Sequence, residues 1–271
     1  MDERHAEVSG LRVRWLESGE GRPVVLVHGI PTSAELWRHV MPQVGGARCL
    51  AWEMVGYGGS IRAGGRHDIS VGAQADYLHA WMRDLGLERA VLVGHDLGGG
   101  VVHILAVRHP DACAGVVLVN SIGYDSWPIP SVRMMQKGSR LLERLPLVGF
   151  RGVFTSFVRR GHDDRVCADE AMQTHWPHYA RGGGAAAFAR QIRSLDVGDT
   201  LAVADGLRNL NVPARVVWGT ADRFQKIEYG ERFARDLRTS VTRIPGGKHF
   251  VPEDHADAVA EAVNDVVARA V

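Results

Sequence analysis

The chain has 271 residues, 45% of them hydrophobic, and its 32 basic side chains nearly balance 31 acidic ones, for a formal charge of +1. This composition is that of an ordinary soluble globular protein, organised either as one large domain or as a core with an insertion. The balanced charge gives no general attraction to nucleic acid or to an anionic membrane, so we expect neither as a partner.

Short apolar runs recur along the chain, and several are followed by longer amphipathic segments. This alternation is typical of parallel βαβ units, so we predict an α/β fold with a mostly parallel central sheet flanked by helices. The predicted strands span residues 11–16, 24–27, 49–52, 91–93, 116–119, 216–218 and 241–244, and a terminal helix is predicted over 256–270.

The second predicted strand runs directly into His28-Gly29-Ile30-Pro31. A glycine-containing turn at a strand end can direct the backbone N–H of Ile30 into a neighbouring site. We interpret His28 as a structural residue that is hydrogen-bonded to this loop, not as a catalyst.

The most informative segment is the strand at 91–93 with the turn that follows it, Gly94-His95-Asp96-Leu97-Gly98. It fits the G-x-nucleophile-x-G elbow, in which glycines flank a strained nucleophile because a side chain at either place would collide with the turn. Asp96 is then the nucleophile. A carboxylate is suited to displacement at a saturated carbon, which leaves an ester on the enzyme itself. The motif alone is weak, because an aspartate before a helix is also an ordinary N-cap.

Between Asn120 and Asn211 the strand and helix alternation stops, and amphipathic patches separated by prolines and glycines replace it. We predict a helical cap over residues 122–211, inserted into an α/β core formed by 1–121 and 212–271. Within the cap, the patches at 132–145, 150–160 and 185–195 are the predicted helices.

Two later strand ends supply the groups that a nucleophilic Asp96 needs. Asp222 follows the strand at 216–218, at the carboxyl edge of the sheet, where ligands gather in open α/β folds. His249 follows the strand at 241–244, after two glycines that let it turn inward. The order of nucleophile, acid and histidine agrees with this fold, so we predict a catalytic triad of these residues.

The backbone N–H groups of Ile30 and Leu97 are predicted to form an oxyanion hole beside Asp96. These donors, with the positive end of the following helix, favour the ionised carboxylate. We therefore expect Asp96 to be charged at neutral pH.

The chain resembles the α/β-hydrolase superfamily, and within it the branch of epoxide hydrolases and haloalkane dehalogenases, which has an aspartate nucleophile. The resemblance runs from Leu11 to the C-terminus, and it implies the α/β-hydrolase fold and the triad positions. It is carried by His28-Gly29-Ile30-Pro31-Thr32-Ser33, Leu36-Trp37-Arg38, Gly56-Tyr57-Gly58-Gly59-Ser60, Gly94-His95-Asp96-Leu97-Gly98-Gly99, Trp218-Gly219-Thr220-Ala221-Asp222 and Gly247-Lys248-His249-Phe250.

The resemblance implies that an epoxide hydrolase has cap tyrosines, which donate protons to the epoxide oxygen. Tyr124 and Tyr179 lie in or near the predicted cap and are candidates for this role. The usual neighbourhood of the second tyrosine corresponds to residues 188–190, which contain none. Packing in the cap is the alternative interpretation of both tyrosines.

For a haloalkane dehalogenase the resemblance implies N–H donors for the halide, typically a tryptophan after the nucleophile and often an asparagine after His-Gly. Leu97 and Ile30 occupy these places, and their side chains donate nothing. Trp127 and Trp176 in the cap are candidate substitutes. An arginine shortly after the nucleophile, which would indicate a haloacid substrate, is absent.

From these features we expect first an epoxide hydrolase. Asp96 forms an alkyl ester that water activated by His249 hydrolyses, and a neutral hydrophobic epoxide becomes a diol. Hydrolytic cleavage of a carbon–halogen bond is the alternative. Two further alternatives remain: Asp96 as a general base in a biosynthetic reaction, and a non-catalytic small-molecule receptor.

No cofactor and no metal are expected, because the carboxylate, the histidine and water complete this chemistry. His175-Trp176-Pro177-His178 has no third ligand for a metal. Cys49, Cys113 and Cys167 are expected to be buried free thiols. With neither a secretory signal nor a membrane span predicted, we expect a cytoplasmic location. The oligomeric state cannot be read from the sequence.

Overall fold

A computed structural model describes residues 1–8 and 10–270. Its strands are β1 (Asp2–Val8), β2 (Leu11–Ser18), β3 (Arg22–Val27), β4 (Ala47–Trp52), β5 (Ala90–His95), β6 (Cys113–Val119), β7 (Ala214–Gly219) and β8 (Val241–Ile244). They form one eight-stranded sheet in the order β1-β2-β4-β3-β5-β6-β7-β8. Within this part of the chain, β2 pairs antiparallel with both β1 and β4, and all other neighbours are parallel. The α/β-hydrolase fold predicted from the sequence is confirmed.

Helices connect the strands and cover the sheet. The α-helices are α1 (Val71–Asp84), α2 (Leu97–Arg108), α3 (Pro130–Lys137), α4 (Ser139–Leu142), α5 (Leu147–Gly161), α6 (Arg165–Gly182), α7 (Gly184–Arg193), α8 (Gly198–Leu201), α9 (Ile227–Asp236), α10 (Val251–Asp254) and α11 (Ala256–Arg269). Six of those described, α3 to α8, lie between β6 and β7. We call residues 122–211 the cap segment, and its status as a separate domain stays a prediction.

The sheet is buried on both faces. In β3, Val25 and Val27 belong to one apolar cluster, whereas Val24 and Leu26 belong to another. This division follows from the two-residue period of a strand, which directs successive side chains to opposite faces. Continuous apolar strands are therefore required, and this is the pattern that made the central strands predictable.

β1 is a strand that the sequence pattern did not predict. Residues Asp2 to Glu7 are mostly exposed and have no apolar alternation. The segment is extended because it pairs along its whole length with β2. Exposed polar residues suit an edge strand, since they discourage pairing with another chain.

Among the described residues, no helix has both the length and the apolar character needed to cross a membrane. Cys49 and Cys113 are buried and Cys167 is half-buried, and all three thiols are free.

Candidate active site

Asp96 lies at the sharp turn between β5 and α2, where its backbone has φ 51° and ψ −119°. This is a left-handed φ that few non-glycine residues adopt, and such strain is concentrated at functional sites. A Cβ at Gly94 would overlap the Gly98 carbonyl, and a Cβ at Gly98 would overlap the Val27 carbonyl. The turn therefore requires both glycines and presents Asp96 at the end of the central strand.

The backbone around Asp96 supplies the predicted donors. The N–H of Ile30 donates to Oδ2 of Asp96 at 3.0 Å, and the N–H of Leu97 also hydrogen-bonds to this carboxylate. Burial nevertheless raises the pKa of Asp96, although His249 and the two amides act to lower it. The donors thus favour the charged form as expected, but burial outweighs them, and the pKa lies above that of an ordinary aspartate.

His249 lies between two carboxylates. Its Nδ1–H donates to Oδ2 of Asp222 at 2.8 Å, and its Nε2 faces Oδ1 of Asp96 at 3.7 Å. Burial is the largest influence and lowers the pKa of His249, but the charge and hydrogen bond of Asp222, with the charge of Asp96, raise it overall. The structure brings together the three residues that the sequence analysis selected.

Asp222 is fixed by four hydrogen bonds. Its Oδ1 accepts from the N–H groups of Phe224 and Gln225 at 2.7 and 3.1 Å. Its Oδ2 accepts from His249 and from Nδ2 of Asn120, the latter at 2.6 Å. The sequence analysis missed Asn120. It follows β6 directly, so the strand-end argument that selected Asp222 also applies to it.

The loop that carries His249 is held from two sides. Nε2–H of His95 donates to the His249 carbonyl at 2.9 Å, and burial lowers the pKa of His95 and keeps it neutral. The carbonyl of Gly161, at the end of α5 in the cap segment, accepts the N–H groups of His249 at 2.8 Å and Phe250 at 3.0 Å. The position of the histidine therefore depends on the cap segment.

A mostly apolar pocket lies over Asp96 and His249. Its floor contains Ile30 and Leu97, whose backbone amides contact Asp96, and its other walls come mainly from the cap segment and the loop after β7. The lining residues are Ile30, Asp96, Leu97, Ile122, Trp127, Pro128, Ile129, Val132, Phe157, Leu195, Phe224, Gln225 and His249.

The two candidate tyrosines do not line this pocket, which corrects the sequence-based expectation. The Tyr124 hydroxyl donates to Oδ2 of Asp236 at 2.9 Å, and the Tyr179 hydroxyl donates to Oε1 of Gln191 at 2.8 Å. Both rings are buried. A buried tyrosine needs a partner for its hydroxyl, and these two find it within the fold and away from Asp96.

The candidate tryptophans differ from each other. Trp127 lines the pocket, but its Nε1–H donates to Oγ1 of Thr200 at 2.7 Å and is not free to bind a ligand. Trp176 does not line the pocket, and it packs against Phe150 and Phe154. Neither provides a free N–H beside Asp96.

Gln225 is a polar pocket residue that the sequence analysis missed. The residue is 3% exposed, and its Oε1 has no hydrogen-bond partner. The backbone is fixed on both sides, since the N–H donates to Asp222 and the carbonyl accepts from Nε1 of Trp218 at 2.9 Å. A lone glutamine after an acidic loop residue has no spacing pattern that would have identified it.

A shallow surface cleft adjoins the pocket and shares Pro128, Ile129 and Phe224 with it. Apart from His249, no basic side chain lines the pocket itself. The cleft in contrast carries four exposed basic residues, which we call the basic rim, and a nearby carboxylate, Asp125. The rim consists of Arg133, Arg160, Arg223 and Lys226.

A buried charged cluster joins the cap segment to the core behind the His249 loop. Glu253 on α10 has no exposed side-chain surface, and it pairs with Arg38, with His175 at 3.2 Å and with His162 at 3.4 Å. His162 also pairs with Asp254 at 2.8 Å. We call these five residues the buried charge cluster.

The sequence and the structure of this chain are similar to those of known proteins. A family model described as the alpha/beta hydrolase fold matches residues 22–256. A haloalkane dehalogenase of Bradyrhizobium diazoefficiens is 29% identical over 96% of this chain and 92% of its own. An alpha/beta hydrolase fold protein from Burkholderia ambifaria superposes with a TM-score of 0.87 at 26% identity, covering 97% of both chains. An epoxide hydrolase solved without ligand superposes with a TM-score of 0.81 at 21% identity, covering 98% of both chains, and this likeness concerns the fold alone.

Proposed function

Since the chain belongs to the alpha/beta hydrolase fold family, we propose that it is a hydrolase that cleaves the carbon–halogen bond of neutral, apolar haloalkanes. Asp96 is the nucleophile, His249 the general base and Asp222 its partner. The reaction converts the haloalkane and water to an alcohol, a halide ion and a proton. Dehalogenation thus ranks above the epoxide opening that the sequence favoured.

The observation that carries this choice is the absence of an acidic O–H donor among the residues that line the pocket. Opening an epoxide produces a strongly basic alkoxide, which needs a proton from a general acid. A halide leaves as a stable anion and needs only hydrogen-bond donors. Tyr124 and Tyr179 were the basis for epoxide opening, and both hydroxyls have other partners.

Two further observations support the proposal. The relative from Bradyrhizobium diazoefficiens, which matches over nearly the whole chain, is a haloalkane dehalogenase. In addition, the basic rim lies in the cleft beside the pocket and attracts anions, which suits a reaction that releases halide. The apolar lining suits an uncharged substrate.

The first step is displacement at carbon. Oδ1 of Asp96 forms a bond to the carbon, and the carbon–halogen bond breaks with its electron pair leaving on the halide. Oδ2 stays with the amide N–H groups of the oxyanion hole. The product of this step is an alkyl ester on Asp96 and a halide ion.

The second step is hydrolysis of that ester. Neutral His249 takes a proton from water through Nε2, while Asp222 holds the opposite nitrogen. The hydroxide attacks the Asp96 carbonyl carbon, and the N–H groups of Ile30 and Leu97 stabilise the oxyanion. The bond between the carbonyl carbon and the alkyl oxygen then breaks, and the alcohol leaves with the proton of the added hydroxyl group. Asp96 regains its negative charge, and His249 releases its proton to solvent.

Intact-mass measurement of a His249→Gln variant tests the proposal, because blocked hydrolysis accumulates the ester. The variant is exposed to matched alkyl bromides and epoxides, with His249→Gln/Asp96→Asn as the control that cannot form the ester. We expect a gain of one alkyl group from bromides and no gain in the control. A mass increase equal to the whole epoxide would instead identify an epoxide hydrolase. No adduct from either class would contradict the ester mechanism and favour the general-base or receptor alternatives.

A further inference from the structure

Building on the proposed function, we propose that the side-chain amide of Gln225 binds the departing halide. Nε2–H of Gln225 donates a hydrogen bond to the halogen as negative charge develops on it. Gln225 would then be a catalytic residue of the first step, in contact with the leaving group.

The argument begins with the polar atoms that the pocket offers. The polar side chains among its lining residues belong to Asp96, Trp127, Gln225 and His249. Asp96 is the nucleophile, and His249 is held by Asp222 with its free nitrogen toward Asp96. Nε1 of Trp127 is occupied by Thr200. Gln225 alone in this lining has a neutral N–H group that no other described residue uses.

The state of the Gln225 side chain is a second and independent observation. The residue is 3% exposed, yet its Oε1 has no partner, and none of the hydrogen bonds in the described part of the chain involves its Nε2. Buried polar groups in native proteins are nearly always hydrogen-bonded, so an amide with neither end partnered in a pocket indicates a ligand. Its N–H is the end that an anion can satisfy, since a halide accepts hydrogen bonds and donates none. Leucine would fill this place without that cost.

The position of Gln225 is also fixed. Its backbone N–H donates to Asp222, and its carbonyl accepts from Trp218. The Asp222 carboxylate, which orients His249, therefore also fixes the backbone from which the Gln225 side chain extends. A donor held in place before the reaction stabilises developing charge without reorganising.

The chemical step follows from this placement. Oδ1 of Asp96 donates an electron pair to carbon, and the pair of the carbon–halogen bond leaves with the halogen. The resulting halide accepts a hydrogen bond from Nε2–H of Gln225, and no proton changes hands. A better hydrogen-bond acceptor gains more from this contact, so chloride should depend on it more than iodide.

The test compares the rate of ester formation in His249→Gln and in His249→Gln/Gln225→Leu, using 1-chlorobutane, 1-bromobutane and 1-iodobutane. We expect Gln225→Leu to slow ester formation from the chloride by about 10- to 100-fold, the range for loss of a hydrogen bond to a charged group. The iodide should be slowed least. Gln225→Glu, of the same shape but with a negative charge, should be slower still with every halide.

A matched control separates this role from a structural one. Gln191 is also buried, but its amide bonds to Tyr179 and to the Gly56 carbonyl and does not line the pocket. Gln191→Leu should lower the melting temperature and leave the chloride-to-iodide rate ratio unchanged. Gln225→Leu should not lower the melting temperature, since it removes an unsatisfied polar group. It should lower the chloride-to-iodide rate ratio.

The outcomes are distinguishable. If His249→Gln forms the ester and Gln225→Leu leaves all three rates unchanged, the role of Gln225 is refuted and dehalogenation stands. If His249→Gln forms no ester from any halide, the proposed function fails, and this role fails with it. If Gln225→Leu does not fold, Gln225→Asn, which withdraws the amide by one methylene, must reproduce the selective loss with chloride.

Discussion

At the scale of single residues, the two carboxylates beside His249 set its protonation. Both raise its pKa, and Asp222 does so more strongly than Asp96. The histidine acts as a base only when neutral, so ester hydrolysis should slow as the pH falls through this raised pKa. Esterification removes the charge of Asp96, which lowers the pKa of His249 at the moment when a base is needed.

We predict that NMR titration of His249 gives its highest pKa in the native enzyme, a lower one in Asp96→Asn and the lowest in Asp222→Asn. The native value should exceed the ordinary value of about 6.5 for histidine. Equal values in the native enzyme and in Asp96→Asn would show that the two side chains do not interact.

Asn120 acts on the same histidine through Asp222. Its Nδ2 donates to Asp222, and its backbone has a left-handed φ of 41°. Asn120→Gly removes the amide and keeps the backbone conformation available. We expect ester hydrolysis to slow by about 10- to 100-fold, since loss of the hydrogen bond to the charged Asp222 costs about 1.5–3 kcal/mol.

Ester formation in Asn120→Gly should be nearly unchanged, because Asn120 does not line the pocket. Rapid-quench measurement of the two steps checks this division. Equal slowing of both steps would argue that Asn120 acts on the whole site and not through Asp222.

The residue scale also shows what the sequence could predict. Asp96, Asp222 and His249 follow strands, and the glycine pattern and chain order mark them locally. Gln225 and Asn120 are amides with no motif. The hydroxyl of Tyr124 bonds to Asp236, which is 112 residues away in the sequence. A partner at that separation depends on the completed fold, so the sequence could not show that this hydroxyl is already hydrogen-bonded.

At the scale of elements, the buried charge cluster ties α5 and α6 to α10 and to the loop after β3. We predict that Glu253→Gln lowers the free energy of unfolding by about 3–5 kcal/mol, because it removes the fully buried carboxylate that Arg38 and His162 share. Urea unfolding measures this.

The control for Glu253→Gln is Glu143→Gln, which breaks the ion pair between Glu143 and Arg193. The side chains of this pair are exposed, Glu143 by 43% and Arg193 by 40%. An exposed pair contributes about 0–1 kcal/mol, so little change is expected there. Similar losses in the two variants would contradict a structural role for the buried cluster.

His162 gives this cluster a pH dependence. Burial lowers the pKa of His162, but the hydrogen bonds to Asp254 and Glu253 and their charges raise it to about 9. Because the folded pKa exceeds the unfolded value of about 6.5, the stabilisation is complete below pH about 6.5 and is lost as the pH rises through about 9. His162→Gln should flatten the decrease in unfolding free energy over this range, and an unchanged decrease would assign it to another group.

The N-terminal strand β1 shows which kind of element a hydrophobic pattern cannot predict. The strands β2 to β8 were predicted from their apolar residues, whereas β1 has a polar sequence. Its conformation comes from pairing with β2. Periodicity reports burial, and an edge strand that buries little leaves almost no periodic signal.

At the scale of the whole molecule, the cap segment and the sheet share one apolar cluster. Phe150, Phe154 and Phe188 belong to the same cluster as Val25 and Leu92. We predict that α5 and α7 open with the same free energy as β5 in hydrogen exchange, because they lose the same buried contacts. Earlier opening of the cap helices would show that they form an independent unit.

The hydrogen bond from the His249 N–H to the Gly161 carbonyl also affects how caps can be exchanged between enzymes of this fold. The nucleophile and its amides belong to the sheet, whereas the base rests partly on the backbone of the cap segment. A chimera with a foreign cap would therefore keep the ability to be alkylated and lose the ability to turn over, and each molecule would be consumed by one substrate. The unit to exchange is the cap together with the histidine loop that it supports.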